Sequence, residues 1–182
     1  FLDGDDIWLR SKLSIQIDFM QLTGTVFSYT QYRVMNSKGT KVSCPVSIRR
    51  QYSYPSYLFS RGIGCSTVVI KRNLFTEEVL ETYGLWHGED TLWWLKLLRA
   101  GVNASGILEP LVLYRDAEGS LSKYRLRNQS SVWRIYRDEF RLSLILACLA
   151  YFSYVTDVAL RRFRSLLCTN FFGKRNVEEV LT

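Results

Sequence analysis

Three aspartates crowd the first six residues, FLDGDD, with Asp3 and Asp5 flanking Gly4 and Asp6 following directly. Carboxylates this dense repel one another unless a cation or a wet turn separates them. An all-oxygen set on a tight turn suits a hard ion such as Mg²⁺ or Mn²⁺ rather than zinc. The pattern is not that of an EF-hand, because Ile7 stands at the fifth position of such a loop and Ser14 at the twelfth. The same aspartates would also serve as caps for a following helix. A second acidic pair, Glu89-Asp90, follows Gly88 in WHGEDTLWW. Two acids at a helix start suit the macrodipole whatever their role. Walled by Trp86, Trp93 and Trp94, however, a carboxylate has its pKa raised, as a general base requires. His87, the single histidine, reads as a packed residue. The third place is Tyr114-Arg115, followed by Gly119-Ser120-Leu121-Ser122 and by Lys123, Arg125 and Arg127. Amides, hydroxyls and guanidinium forks of this kind hold phosphate oxygens, although the same letters describe an ordinary exposed loop.

Alternating elements must carry these residues. Phe1-Leu2 reads as a strand end, and residues 8–20 place Leu9, Leu13, Ile17 and Met20 at helical spacing. Residues 25–34 and 40–46 are rich in β-branched and aromatic side chains around Asn36-Ser37-Lys38-Gly39, which predicts a hairpin. Residues 47–62, with Pro55, predict an irregular or short helical connection before a strand at 66–70. A compact helix is expected over 89–100 between Gly88 and Gly101, then short strands at 104–107 and 111–114. Residues 130–164 contain neither Gly nor Pro and predict one long helical stretch. No internal repeat is visible.

At 182 residues and 47% hydrophobic, the chain is long enough for one domain with a core, and is neither fibrous nor disordered in composition. It starts with Phe and shows no signal segment, which gives the expectation of a fragment. Cys44, Cys65, Cys148 and Cys168 are scattered, with no CxxC spacing; reduced, mostly buried thiols are expected, and neither a zinc site nor a disulfide framework. The net charge of +7 is uneven: residues 1–122 hold 13 Lys/Arg against 12 Asp/Glu, and residues 123–182 hold 11 against 5. Such a basic excess suits nucleic acid, an anionic membrane or phosphate-bearing ligands, and does not choose among them.

FLDGDDIWLRSKLSIQIDFM, FSYTQYRV, GCSTVVIKR, GEDTLWWLKLLRAG and EPLVLYRDAEGSLS, in this order, resemble family 2 glycosyltransferases of the GT-A fold, of the type that makes bacterial surface polysaccharides. The resemblance covers residues 1 to about 137. It implies an α/β fold: a Rossmann-like mixed sheet with flanking helices and a long C-terminal helix, incomplete because no nucleotide-binding β-α-β half precedes Phe1. It also implies transfer of a sugar from a nucleotide-sugar donor to a glycan or lipid-linked saccharide acceptor, with Mn²⁺ or Mg²⁺. Asp5 would bind the metal with Asp3, which also lies toward the donor; Asp6 would support them. Asp90 would be the base of an inverting reaction, with Glu89 beside it. Gly64 and Ser66 resemble a loop facing the donor sugar, and Arg115, Ser120, Ser122 and Arg125 a loop near the diphosphate. Trp94 matches a helix tryptophan of the family. Because the base-binding half is not among these residues, the chain alone is expected to be inactive.

The organisation expected is a transferase part at 1–128 and a basic helical extension at 129–182. Residues 142–156 are uncharged, bounded by Arg141 and Asp157 and followed by Arg161, Arg162 and Arg164. Fifteen residues rise only about 22 Å as a helix, short of the roughly 20 residues that cross a bilayer. The expectation is a helix on the cytoplasmic membrane surface with its arginines toward anionic lipid, or else a plain core helix. A basic aromatic binding module remains an alternative, with Tyr52, Tyr54 and Tyr57 near Arg49 and Arg50, but no RNP, KH or zinc signature supports nucleic acid. A degenerate transferase acting as a partner subunit is another.

Overall fold

In a computed structural model, residues 1–82, 88–116 and 125–181 are described. The expected mixed α/β architecture is present. Its axis is a pair of parallel strands, β2 (Phe27–Asn36) and β6 (Ala104–Asp116), registered from Ser28 opposite Ser105 to Asn36 opposite Asp116. Around them the sheet runs β1 (Ile7–Trp8), β6, β2, β3 (Lys41–Pro45) and β7 (Arg175–Asn176), while β4 (Gln51–Tyr52) pairs with β6 and β5 (Val69–Ile70) with β2. The helices are α1 (Lys12–Thr23), α2 (Tyr54–Phe59), α3 (Glu77–Leu80), α4 (Glu89–Arg99), α5 (Arg125–Arg134), α6 (Leu144–Phe172) and α7 (Glu178–Leu181).

The main core joins the sheet to α2, α4 and the C-terminal helices through Phe27, Tyr29, Tyr52, Tyr57, Trp94, Leu95, Ile135, Tyr136, Ala147 and Ala150. Residues on both sides of position 128 therefore share one core. A smaller cluster, Met35, Val42, Leu113 and Val177, closes the other end of the sheet.

The expected hairpin forms as β2 and β3, closed by Asn36, whose side-chain oxygen accepts from the Thr40 and Lys41 amides at 2.9 and 3.0 Å. The helix over 89–100 forms as α4. Elsewhere the structure departs from the sequence reading. Phe1 and Leu2 lie in no strand, and the strand follows the acidic turn instead. Helix α1 buries Lys12, Gln16 and Met20, not Leu13 and Ile17, which are exposed. The reason is a polar chain: Lys12 Nζ donates to Gln16 at 2.5 Å and sits 4.0 Å over the Trp8 ring, and Gln16 donates to Ser28 Oγ and the Thr67 carbonyl. The strand expected over 66–70 begins as a 3₁₀ turn at Cys65–Thr67, and only Val69–Ile70 pair. The two short strands at 104–107 and 111–114 are one strand, β6, bridged by a register shift near Pro110.

The long helix over 130–164 is two helices. A π turn at Ile135–Glu139 ends α5, Arg141 takes a positive φ of 49°, and the Ser143 hydroxyl caps α6 by accepting from the Leu146 amide. Helix α6 then runs 29 residues, nearly twice the apolar segment read from the sequence. The expectation of reduced thiols is also overturned for one pair: α6 folds back along β3 and joins Cys168 to Cys44 across a separation of 124 residues. No local spacing could announce that pairing. Cys65 and Cys148 are free.

Candidate active site

The acidic turn and the head of α4 come together because Phe1 packs on aromatic residues beside them. Its ring lies 5.2 Å from Phe75, 6.0 Å from Trp93 and 5.5 Å from Trp94. Trp94 is fully buried and also touches Phe27, so its role in the structure is packing. Residues Asp3 to Asp6 then form a turn closed by the Asp6 amide donating to the Asp3 carbonyl at 3.1 Å.

Asp6 turns inward and is nearly inaccessible. One carboxylate oxygen accepts from the Ser66 hydroxyl at 2.6 Å and the other from the Arg115 amide at 2.9 Å. Burial raises its pKa, and these two donors oppose that rise. Ser66 in turn accepts from the Asp3 amide at 3.1 Å. Asp6 and Ser66 thus hold the turn to the 3₁₀ segment and to β6. Gly64 precedes that segment and its carbonyl accepts from the Thr67 hydroxyl at 2.6 Å. Arg115 clamps the outside: Nε donates to the Asp5 carbonyl at 2.9 Å and Nη1 to the Ser37 carbonyl at 3.0 Å.

Asp3 and Asp5 remain exposed, and their carboxylates have no hydrogen-bond partner among the described residues. No cluster of three or more acidic, histidine or cysteine ligands exists among the described residues. Two exposed carboxylates nevertheless fit a Mg²⁺- or Mn²⁺-type ion, which takes one or two protein carboxylates and completes its shell with phosphate oxygens and water. The donor set is thus compatible with the metal expected from the sequence.

At the other edge, Gly88 adopts φ 85° before α4, a left-handed conformation that suits glycine, and Glu89 and Asp90 form the first turn. Asp90 accepts from the Thr91 amide at 2.6 Å. Its pKa is raised, chiefly by burial and further by the charges of Glu89 and Asp3, while the Thr91 hydrogen bond and the Arg61 charge oppose the rise. Asp3 therefore lies close enough for its charge to act on Asp90. Burial, with the charges of Asp90, Asp3 and Asp6 adding to it, pushes the Cys65 thiol up to about 12, which removes it as a nucleophile at neutral pH.

Ser120 and Ser122 lie outside the described residues, as do Trp86 and His87; Arg125 opens α5. A residue that the sequence reading passed over is Arg61. It reaches Asp90 electrostatically and stacks between Tyr136 and Tyr154, 5.0 and 4.7 Å from their ring centroids. Its only signal in the sequence was proximity to the Gly62-Ile63-Gly64 loop.

No family model matches the chain, and no solved structure matches it. Curated relatives do. The chain is 30% identical over 162 residues to the Bacillus subtilis glycosyltransferase TuaG, assigned to teichuronic acid biosynthesis, covering 89% of this chain and 64% of the relative. It is 31% identical over 144 residues to WfgD of Escherichia coli, named a UDP-Glc:alpha-D-GlcNAc-diphosphoundecaprenol beta-1,3-glucosyltransferase, covering 76% of this chain and 53% of the relative. WfaP of Escherichia coli, with the same enzyme name, is 31% identical over 127 residues, 70% of this chain and 49% of the relative. The chain thus spans about half to just under two thirds of the length of these relatives.

Proposed function

Since the chain is a homologue of bacterial glycosyltransferases of polysaccharide biosynthesis, we propose that the acidic turn and the head of α4 form a metal-dependent, inverting sugar-transfer site. The donor is a nucleotide sugar and the acceptor a lipid-linked saccharide or glycan. The carrying observation is that Asp90, made more basic by burial, stands within charge range of Asp3 on the turn. Asp5 and Asp3 would hold a divalent ion, whose charge offsets that of a departing diphosphate. Asp90 takes the proton of the acceptor hydroxyl while the hydroxyl oxygen bonds to the anomeric carbon of the donor sugar. The bond from that carbon to the diphosphate breaks, and its electron pair leaves with the nucleoside diphosphate. Attack opposite the leaving group inverts the anomeric configuration.

Glu89 orients the acceptor, and Asp6 fixes the turn through Ser66 and the Arg115 amide. By sequence pattern, Arg115, Ser120, Ser122 and Arg125 would bind the donor diphosphate, with Gly64 and Ser66 toward the donor sugar. The activity is proposed for the full-length protein, because the chain spans only part of its relatives.

Helix α6 supports a membrane location for this reading. Ile145, Leu149 and Phe152, and then, eight residues on, Leu160, Phe163 and Leu167, follow three- and four-residue spacing along one exposed side, while Ala147, Ala150 and Arg161 face the domain. Residues 144–170 are long and apolar enough to cross a membrane, and only 11% of their most apolar window is buried. We place this stripe at the inner face of the cell membrane, peripherally, with Arg164 toward anionic lipid. Arg161 does not share that role, since it turns inward to Asp157, Ser60 and Tyr52.

The test of the metal-donor half is calorimetric titration of the full-length protein with a uridine-diphosphate sugar, in Mn²⁺ and in chelator. Wild type is expected to bind in Mn²⁺, and Asp5→Ala to lose the Mn²⁺-dependent part. Equal binding by both would remove Asp5 from the metal site.

A further inference from the structure

Arg61 carries a charge that the transfer chemistry leaves unassigned. It lies between α2 and the 3₁₀ turn at Cys65–Thr67, and its Nε and Nη2 are buried with no hydrogen-bond partner among the described residues. Asp90 acts on it through charge but does not supply the missing partner for those two nitrogens. Native structures rarely bury a guanidinium donor without an acceptor, and an orphan of this kind beside a reactive carboxylate marks the place of an anion that the protein does not itself contain. The Tyr136 and Tyr154 rings flank the guanidinium, and Tyr136 also interacts with it as a hydrogen-bond partner, while Nε and Nη2 stay without one.

The loop is held in place by close approach. A Cβ on Gly62 would collide with Arg161 Nη1, and would lie 2.5 Å from Tyr52 Oη, so Arg61 is presented from a segment that cannot slide along α6. Tyr154, one wall of the Arg61 slot, belongs to α6, the helix whose opposite side carries the exposed apolar stripe. Asp90 thus has the acidic turn in charge range through Asp3, and through Arg61 it is joined to the apolar helix. A cation packed against the inner side of an apolar helix suits the charged head of an amphiphile that joins a sugar to a hydrocarbon.

We propose that Arg61 receives the diphosphate of a lipid-linked acceptor and so sets the acceptor sugar against Asp90. This rests on the sugar-transfer reading above, and it separates two anion sites: the donor diphosphate at the acidic turn and the acceptor diphosphate at Arg61. Arg61 is then a specificity residue for the charged lipid acceptor, not for the donor.

The experiment compares two acceptors carrying the same saccharide, one on a polyprenyl diphosphate and one on an uncharged alkyl chain, in full-length wild type, Arg61→Gln and Arg61→Lys. Loss of a charge-assisted hydrogen bond predicts a KM for the diphosphate acceptor about 10- to 100-fold higher in Arg61→Gln, partly restored in Arg61→Lys. The KM for the donor should be unchanged, and because Arg61 also acts on the charge of Asp90, any change in turnover should be the same with both acceptors. An equal rise in acceptor KM with both acceptors would make Arg61 a structural residue, and a raised donor KM would move it to the donor site; either overturns the proposal. Flotation with phosphatidylcholine vesicles, with and without the polyprenyl diphosphate-linked saccharide, reads the same contact without turnover. Wild type should bind the diphosphate-bearing vesicles more tightly, and Arg61→Gln should lose the difference. A wild type that shows no such preference overturns the proposal even if neither variant folds, whereas a wild type that prefers them but transfers no sugar would contradict the transfer reading alone.

Discussion

Asp90 is held in a setting that favours its neutral form, and this has consequences for stability as well as chemistry. Burial is the main cause, with Glu89 and Asp3 adding to it. A carboxyl whose folded pKa lies above its unfolded value contributes stability that is present below the unfolded pKa and lost as pH rises through the folded one. Charged Asp90 therefore opposes folding at neutral pH, and Asp90→Asn should melt at a higher temperature than wild type there. The gap should shrink as pH falls through the raised pKa toward the ordinary carboxylate range and level off below it, which a melting series from about pH 3 to about pH 8 would read. A gap that stays constant with pH would mean that the charge is not the cause. Asp6 behaves differently, because both of its oxygens have protein donors. Asp6→Ala should cost about 2 kcal/mol in denaturant unfolding, the worth of a hydrogen bond to a charged group. The acidic pair and the acidic turn stood out as candidates in the sequence, because carboxylates at a helix start and around a glycine are local patterns. Arg61 was not, since a single arginine in an irregular loop becomes informative only when Tyr136 and Tyr154, more than seventy residues away, close around it.

Helices and strands divide in the same way. The hairpin and α4 were readable from short-range pattern, with Asn36 and Gly88 as their punctuation. The inward face of α1 was not, because Lys12 and Gln16 are buried by a hydrogen-bond chain that hydrophobic periodicity takes for a solvent face. Helix α6 was underestimated because its polar residues, Asp157 and Arg161, looked like a boundary when they are an anchor: Arg161 reaches Asp157 at 2.5 Å and Ser60 at 3.0 Å. Ser153, donating to the Phe59 carbonyl at 2.7 Å, and the Cys44–Cys168 bond add two more ties. In oxidised protein, Cys44→Ser should lower stability by about 2–4 kcal/mol, and after reduction the variant and wild type should converge. Denaturant unfolding with and without dithiothreitol measures both. Gly62→Ala should lower stability by about 1–3 kcal/mol, because the added methyl pushes Arg161 and Tyr52 apart.

At the scale of the molecule, one core carries both α4 and the C-terminal helices, so the basic third of the chain packs on the unit that holds Asp90. With α6 anchored along its inner side, its outward stripe is available to a bilayer, and anionic liposomes should float the protein. Leu149→Glu with Phe152→Glu should abolish flotation and leave the melting temperature within a degree or two, since both side chains are exposed. Flotation unaffected by the pair would remove α6 as the membrane face. The central claim, that Asp90 is the base of a sugar transfer whose donor is held at the acidic turn, is tested most directly by the turnover number of full-length Asp90→Asn at saturating donor, acceptor and Mn²⁺. Turnover should fall by about 10²- to 10⁴-fold, the usual worth of a general base, with donor affinity unchanged; turnover equal to that of wild type would show that Asp90 is not the base.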